Sequence, residues 1–422
     1  MRIPRPWPEM MLGIIPDFAL GPGLKLGLCF CLIFLFWYVR SARALSMGEP
    51  LTDNNYQIDV TRTVTTGSTR KMALGGAYAG IAEGNAALPD NPAAVAYRAR
   101  AFMRPLELDM VLSTLAIEDN DSDNSGTESL VYGNSSLVDF GLMAQYENWG
   151  IGFVSQMSVF ESENLPQNQV AQFRSGTLAT GYTNDDRTMA LGFSLNSVGA
   201  RVNPKDNRDP RSFKLEGVGY GAGMVVHPHR GAWRFGAAYS SGVSTEEGLV
   251  SSGTEPVKVG NLIVPEGVLE TDILSLGLAH EWNHFLGWRG HPGLASGDIR
   301  LFGKSPSNAQ GSAAFISQTS RPIGQKRIAT IHGGMEVELV PNRFRLRAGT
   351  YHEPSRYEGG PARQHLTGGF EVRLFPIPFV TREASFSYAV DTASRYQVHS
   401  FSLWLWAFNV PVPTERPGAF PK

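Results

Sequence analysis

The chain has 422 residues, with 37 Lys and Arg against 39 Asp and Glu, a formal net charge of −2 and 18% charged residues. That balance argues against a nucleic-acid partner, which would select a basic face. Its 46 Gly, 13 Tyr, 8 Trp and 23 Phe suit a β-rich chain in which glycine bends strands and aromatic rings sit at interfaces.

At the N-terminus, Lys25 opens onto the apolar run Leu26–Val39 (LGLCFCLIFLFWYV). At about 14 residues it has the length of a signal-peptide core and is short for a spanning helix. Ala42-Arg43-Ala44 fits a small-x-small cleavage site, which makes 1–44 a signal peptide and Leu45 the expected mature start. The long stretch before Lys25 admits a start at Met10 or Met11, and an uncleaved anchor is the alternative. Cys29 and Cys31 both lie in the apolar run, so the mature chain is expected to have no disulfide and no thiolate metal site.

Residues 45–100 read as an N-terminal plug segment ahead of the alternating region, and Ser68–Arg98 within it does not alternate like a strand. Within Ser68–Arg98 (STRKMALGGAYAGIAEGNAALPDNPAAVAYR), the spacing predicts a small-residue helix over Ala73–Glu83, with Gly75-Gly76 allowing close packing. Pro89-Asp90-Asn91-Pro92 then breaks the chain, because each proline removes a donor and restricts the residue before it.

From 101 to 408, period-two alternation predicts strand after strand. Leu106, Leu108, Met110 and Leu112 alternate with Glu107, Asp109, Val111 and Ser113; the segments starting at Val138, Met189, Trp233, Leu366 and Ala384 behave alike. Further strands are expected near Gly297–Lys304 and at Gln397–Phe408. A soluble sandwich would show the same alternation with its apolar face turned inward. Loop lengths argue for a transmembrane barrel instead, because long connections (near 118–135, 161–168, 201–211, 245–269, 305–325 and 355–363) alternate with short ones such as Asn148-Trp149 and Pro341-Asn342-Arg343. The expected fold is an all-β antiparallel barrel of about 14 strands. Gly217, Gly219, Gly221 and Gly223 share one strand face, either as a smooth inner wall that makes room for a plug or ligand or as a means of bending the strand. Asn409–Lys422 is proline-rich and reads as a disordered tail.

Two motifs imitate metal sites. His280-Glu281-Trp282-Asn283-His284 matches H-E-x-x-H, which needs a helix to bring both imidazoles to one zinc; here Leu274, Leu276 and Leu278 alternate into it as a strand. Glu118–Asp123 imitates a calcium loop, but counted from Asp121 the twelfth position is Tyr132. Neither is expected to bind metal, and no cofactor or catalytic signature appears. Arg345, Arg347 and Arg373 fall on the polar faces of their strands, where they would meet either a ligand carboxylate or the lumen acids Glu336, Glu338 and Glu371.

GGAYAGIAEGNAALPDNPAAVAYR resembles the N-terminal plug of the FadL/TodX outer-membrane transporters, with Asn91-Pro92-Ala93 matching the turn before their first strand. RFGAAYSSGVSTEEG, VPEGVLETDILSLGLAHEW and HLTGGFEVRLF resemble later parts of such barrels, so the likeness spans about 45–408. The resemblance implies passive diffusion of long-chain fatty acids or other hydrophobic compounds across the outer membrane of a Gram-negative bacterium. It implies gating by the plug at Gly75, Gly76, Asn91, Pro92 and Ala93, and lateral exit through a gap in the wall. Partners would be outer-membrane lipid and a hydrophobic ligand, with no enzymatic activity. The approach Asn54–Gly67 is longer and more polar than in that family, and the tail after Phe408 is unlike barrels that end on an aromatic residue. PorV-like relatives share the opening and act in secretion or surface attachment, so a platform for other proteins is the second expectation.

Overall fold

The computed structural model describes residues 48–97, 106–117, 121, 123–125, 134–161, 169–204, 213–228, 232–245, 256–259, 261–285, 290–374 and 381–408. The expected signal peptide and C-terminal tail lie outside these residues.

In chain order the strands begin with β1 (Gln57–Asp59), β2 (Leu106–Ile117), β3 (Asn134–Tyr146), β4 (Trp149–Glu161), β5 (Gln169–Thr183), β6 (Met189–Pro204) and β7 (Phe213–Val226). They continue with β8 (Trp233–Ser240), β9 (Val243–Ser244), β10 (Lys258–Val259), β11 (Leu262–Ile263), β12 (Gly267–Glu270), β13 (Ile273–Trp282) and β14 (Gly293–Phe302). The last are β15 (Ala309–Gly311), β16 (Ile328–Val340), β17 (Phe344–Glu353), β18 (Arg363–Leu374), β19 (Thr381–Ala393) and β20 (Tyr396–Phe408). Helix α1 spans Thr69–Ala73 and α2 spans Ser312–Ser317.

Among the described residues, fourteen of these strands form a closed antiparallel barrel: β2 to β8, β13, β14 and β16 to β20. The first strand closes on the last, with Asp109 opposite Trp406 and Leu115 opposite Ser400. The apolar half of each alternation faces outward. Leu112, Phe140, Ile151, Phe193, Leu276, Ile331 and Leu403 are exposed, whereas Ser113, Asp139, Ser194, Asp298 and Thr367 are buried. That polarity is inverted relative to a soluble sandwich and matches a wall with lipid outside and a polar lumen inside. Tyr146, Trp149, Tyr182 and Trp233 ring the outer face at the end with short turns, as an interfacial girdle does.

The short turns and the wall's two ends share one rim, the turn end. Long excursions share the opposite rim, the loop end, with one exception: β19 and β20 are joined there by Ser394-Arg395 alone. Strands do form at the expected Gly297–Lys304 and Gln397–Phe408 positions, as β14 and β20. Register is unbroken from β2 through β6, including Asn134↔Glu161 to Tyr146↔Trp149 and Trp149↔Tyr182 to Phe160↔Ala171. The lateral gap implied by the family resemblance is therefore absent from this stretch of wall. The shortest pairing in the barrel is β7 with β8, only from Gly221↔Ser240 to Val226↔Phe235.

At the loop end, β1 is an inner strand of a four-stranded sheet, order β15-β1-β12-β9. It lies parallel to both neighbours, with Gln57 opposite Gly267 and Ala309. This sheet, β10–β11 and α2 enclose an apolar core that includes Tyr56, Ile58, Phe173, Leu262, Val268, Phe315 and Ile316. The N-terminal segment thus starts at the loop end and threads the lumen to the turn end before β2 begins.

Candidate functional site: the plugged lumen

The lumen is filled by residues 60–97. The expected helix over Ala73–Glu83 is not what forms. Ser68 instead caps a five-residue helix, its Oγ accepting from Lys71 N at 3.3 Å, and Gly75 (φ 61°) and Gly76 (φ 78°) end it in the left-handed region that favours glycine. Close packing at this pair does hold. A Cβ at Gly75 would stand 2.7 Å from Thr350 N, and one at Gly76 would stand 3.0 Å from His332 Nδ1.

Asn91 organises the far half of the plug. Its side-chain oxygen accepts from Ala93 N at 3.1 Å and so caps the 3₁₀ helix Pro92–Val95, with Pro92 in the first turn. Its Nδ2 donates to Ala79 O at 3.1 Å and to Met224 O at 3.0 Å, tying the plug both to itself and to the wall. Asn91, Pro92 and Ala93 are all buried, and through Asn91 they are tied to the rest of the plug and to β7.

The seat for this segment is a ring of inward-facing glycines, a feature the sequence reading missed apart from one strand. A Cβ at Gly334 would collide with Leu74 O, at Gly349 with Gly75 N, at Gly277 with Gly80 N and at Gly236 with Ala79 O. On the opposite wall, Gly192 faces Pro92, and Gly150 faces Val95 O. In the glycine stripe of β7, Gly223 makes room for Asn91 and Pro92 of the plug, while Gly217 and Gly219 take the side chain of Val243. Glycine recurring at lumen-facing positions of separate strands was the available signal.

Around these seats, charges pair between plug and wall. Arg70 binds Glu83 at 2.7 Å and Glu336 at 3.0 Å. Glu83 also takes Arg234 at 2.7 Å, and Arg234 reaches Glu281 and donates to Ile81 O at 2.8 Å. Lys71 and Arg300 share Asp90, at 2.7 and 3.1 Å. Asp298 accepts from the backbone N–H groups of Tyr78 and Ala79, each at 2.6 Å. Asp109 takes Asn85 N at 3.2 Å, Asn85 Nδ2 at 3.1 Å and the Trp404 indole. Burial alone would raise the Glu83 carboxyl, but Arg234 and Arg70 outweigh it and hold it down to about 2.

Of the three arginines singled out, Arg347 lies between Glu336, at 2.6 Å, and Glu371. Arg345 is farther from its acids, at 3.9 Å from Glu336, 3.7 Å from Glu338 and 3.7 Å from Glu371. Arg345 and Arg373 line a cavity of about 220 Å³ at the turn end, together with Arg70, Glu83, Glu281 and Glu371. A second cavity, about 100 Å³, lies above the plug between Arg62, Lys71, Asp90, Gln156 and Glu270. Both linings are mixed, the first also including Trp282, Leu294 and Trp404 and the second Val60, Phe173 and Ile273.

His280 of the H-E-x-x-H motif sits on strand β13, between Trp233 and Trp282 at ring-centroid distances of 4.3 and 4.4 Å. His284 lies past the strand's end, where its Nδ1 accepts from Gly290 N at 3.1 Å. Asp121 accepts from Ser125 N at 2.8 Å, and Asp123 accepts from the Tyr357 hydroxyl at 2.7 Å; the rest of the calcium-like loop is outside the described residues except Asn124. Among the described residues no group of three or more His, Cys, Asp or Glu is placed to hold a metal ion.

No protein-family model matches the sequence. No curated protein matches it either. Among solved structures the chain is similar to the CymD monoaromatic hydrocarbon channel, at 13% identity, covering 82% of this chain and 98% of that one, with a TM-score of 0.50. It is also similar to a Pseudomonas aeruginosa FadL homologue (15% identity, 82% and 99% coverage, TM-score 0.47) and to the Pseudomonas putida toluene transporter TodX (14%, 83% and 99%, TM-score 0.47). The likeness to the CymD channel is one of fold: a closed barrel matched over nearly the whole of that chain.

Proposed function

We propose that the protein is an outer-membrane channel for hydrophobic small molecules, long-chain fatty acids or smaller hydrocarbons among them, with the plug as its gate in the shut position. The observation that carries this reading is how the lumen is filled. A barrel of eight or so strands is closed by its own side chains, whereas fourteen strands enclose more than side chains can fill. Here a dedicated segment occupies that space, seated backbone-to-glycine and by ion pairs, which are contacts that water can replace. The exposed apolar band and aromatic girdle support placement in a bilayer with the turn end toward the periplasm. The short β7–β8 pairing is the place where an apolar cargo would leave sideways. Arg345 and Arg373 are the residues proposed to meet a ligand carboxylate in the turn-end cavity; no catalytic role is proposed.

The test is uptake. Expressed in a Gram-negative strain lacking its own fatty-acid importer, the chain is expected to raise uptake of radiolabelled oleate or toluene above the empty vector. Arg345→Ala is expected to reduce oleate uptake and leave toluene uptake unchanged. A barrel that assembles in the outer membrane but raises neither would overturn the channel reading.

One observation favours a second reading. Plug and wall are joined by buried ion pairs from Arg70, Lys71, Glu83 and Asp90, as suits a platform for secretion or surface attachment of other proteins. An assembled barrel without uptake, recovered from cells in complex with secreted proteins, would support it.

A further inference from the structure

On the outer face of the described strands, polar positions such as His352, Gln364 and His399 are scattered, but cations of like sign gather at one place. Arg174 on β5, Arg201 on β6 and Lys214 on β7 are all exposed, and all three point out of the barrel, in the same alternation as Leu178, Leu195 and Tyr220. Register brings them together. Arg201 stands directly opposite Lys214 across β6–β7 and opposite Gln172 across β5–β6, and Arg174 follows Gln172 on the same face. Directly opposed residues on neighbouring strands have Cβ atoms about 5 Å apart, where like charges repel.

Little within the chain offsets that repulsion. Lys214 Nζ reaches Glu216 Oε1 at 2.7 Å, both side chains being more than half exposed, and Arg174 donates to Gln172 Oε1 at 3.2 Å. Among the described residues Arg201 has no acid partner. Among the described residues the patch therefore carries three cations against one carboxylate, with the amide of Gln172 between Arg174 and Arg201.

Its height matters. The girdle residue Tyr182 and Arg174 are on the same strand, eight positions apart. At about 3.4 Å per residue and a tilt near 40°, that separation is about 20 Å along the barrel axis, close to the height of a barrel's apolar band. The girdle marks one edge of the band and the cations mark the other, on the loop side.

We propose that Arg174, Arg201 and Lys214 form a docking surface for the phosphate-bearing headgroup of a glycolipid in the leaflet at the loop end. Two guanidinium groups can each fork onto phosphate oxygens, the lysine adds a point charge, and the acyl chains lie against Leu178, Leu195 and Val218 below. This inference rests on the barrel being embedded in a membrane and not on what it carries.

The probe is lipid A bearing both phosphates, titrated into the purified chain in detergent and followed by native mass spectrometry. The wild-type chain is expected to retain the lipid. With each cation near an anionic lipid surface worth about 1 kcal/mol, the variant Arg174→Gln/Arg201→Gln/Lys214→Gln is expected to bind about 100-fold more weakly. Glu216→Gln, which removes only the acid, is expected to bind more tightly by several fold. Millimolar inorganic phosphate is expected not to displace the lipid; full displacement would assign a free-anion site and overturn the headgroup. Unchanged affinity in the triple variant, or weaker affinity in Glu216→Gln, would also overturn it. Membrane insertion of the same variants, read separately by reconstitution into phospholipid vesicles, distinguishes failure of this surface from failure of the membrane placement.

Discussion

The two ends of the threaded N-terminal segment balance apolar and charged contacts in different proportions, although Asp59 of β1 pairs with Arg356 at 2.7 Å. At the loop end, β1 is hydrogen-bonded on both sides and packs Tyr56 and Ile58 into an apolar core; burial also pushes the Tyr56 hydroxyl up, and it donates to Ile263 O at 2.7 Å. In the lumen, residues 70–93 contribute Arg70, Lys71, Glu83 and Asp90 to ion pairs and rest their backbone on glycine, around an apolar cluster of Leu74, Tyr78, Ile81, Leu88 and several alanines. An apolar core is lost only by exposing its whole surface to water, at about 25 cal/mol per Å². Buried ion pairs gain little net stability, because desolvation offsets their attraction. The loop-end sheet and its core, here called the cap, thus lean on apolar burial, whereas the plug adds more charges for which hydration can compete. Because β1 anchors one end and β2 the other, opening would be a rearrangement between two fixed points.

That contrast can be broken first at the charges. Arg234→Met removes one of the two guanidinium partners of Glu83, which keeps Arg70, together with the bond to Ile81 O, and is expected to cost the plug about 2–3 kcal/mol. Hydrogen exchange should accelerate at amides 77–83 and stay unchanged in β1; acceleration at β1 alone would reverse the contrast. The next effect is steric. Gly236→Ala places a Cβ against Ala79 O and is expected to cost about 1–3 kcal/mol, read by the same exchange, whereas at Gly333 a Cβ meets nothing within 4 Å and the substitution should be silent. Smaller again is Asn91→Ala, which removes a cap and two donors and is expected to cost about 1 kcal/mol, visible as protease cleavage near Pro89.

The smallest effect is the pH response of two carboxyls, Glu83 of the plug and Glu270 of β12, which shift in opposite directions. Glu83 is held down to about 2, so its contribution is present above its ordinary 4.5 and is lost as pH falls through about 2. Desolvation, with Asp59 nearby, pushes Glu270 of the cap up to about 7, so its contribution is present below 4.5 and is lost as pH rises through about 7. Acid should remove the Glu83 contribution, read by exchange at amides 77–83, and a rise from pH 4.5 through about 7 should remove that of Glu270, read by exchange in β12. Responses left unchanged by Glu83→Gln and by Glu270→Gln would contradict this.

Much of the barrel was legible because the side-chain period is two and a membrane wall writes it plainly: Leu106–Leu112 and Leu366–Leu374 name their faces directly. Even β14 and β20, with weaker alternation, appear as strands. The plug's helix was misplaced because small residues such as Ala73, Ala77 and Ala79 satisfy a helical spacing equally well when the chain is coiled against a wall. What decides the matter is the positive φ at Gly75 and Gly76, imposed by contacts from β16 and β17 that are over two hundred residues away. Glu83 and Arg234 went unnoticed for the same reason, since nothing local joins them. Arg347 was legible as a lumen residue, but its place between Glu336 and Glu371 depends on register across β16, β17 and β18. The glycine ring is distributed one or two residues per strand, and each member alone looks like a bend.

The most direct test of the plug as a gate is to lock it. The mature chain is expected to have no cysteine, and Asn91 Cγ lies 3.2 Å from where a Cβ at position 223 would stand, so Asn91→Cys with Gly223→Cys can form a disulfide. Oleate uptake should be abolished in the oxidised form and restored by a reductant, with either single variant insensitive to both. Uptake that continues with the disulfide closed would show that cargo passes without moving the plug, and the account of the lumen as a gated path would fail.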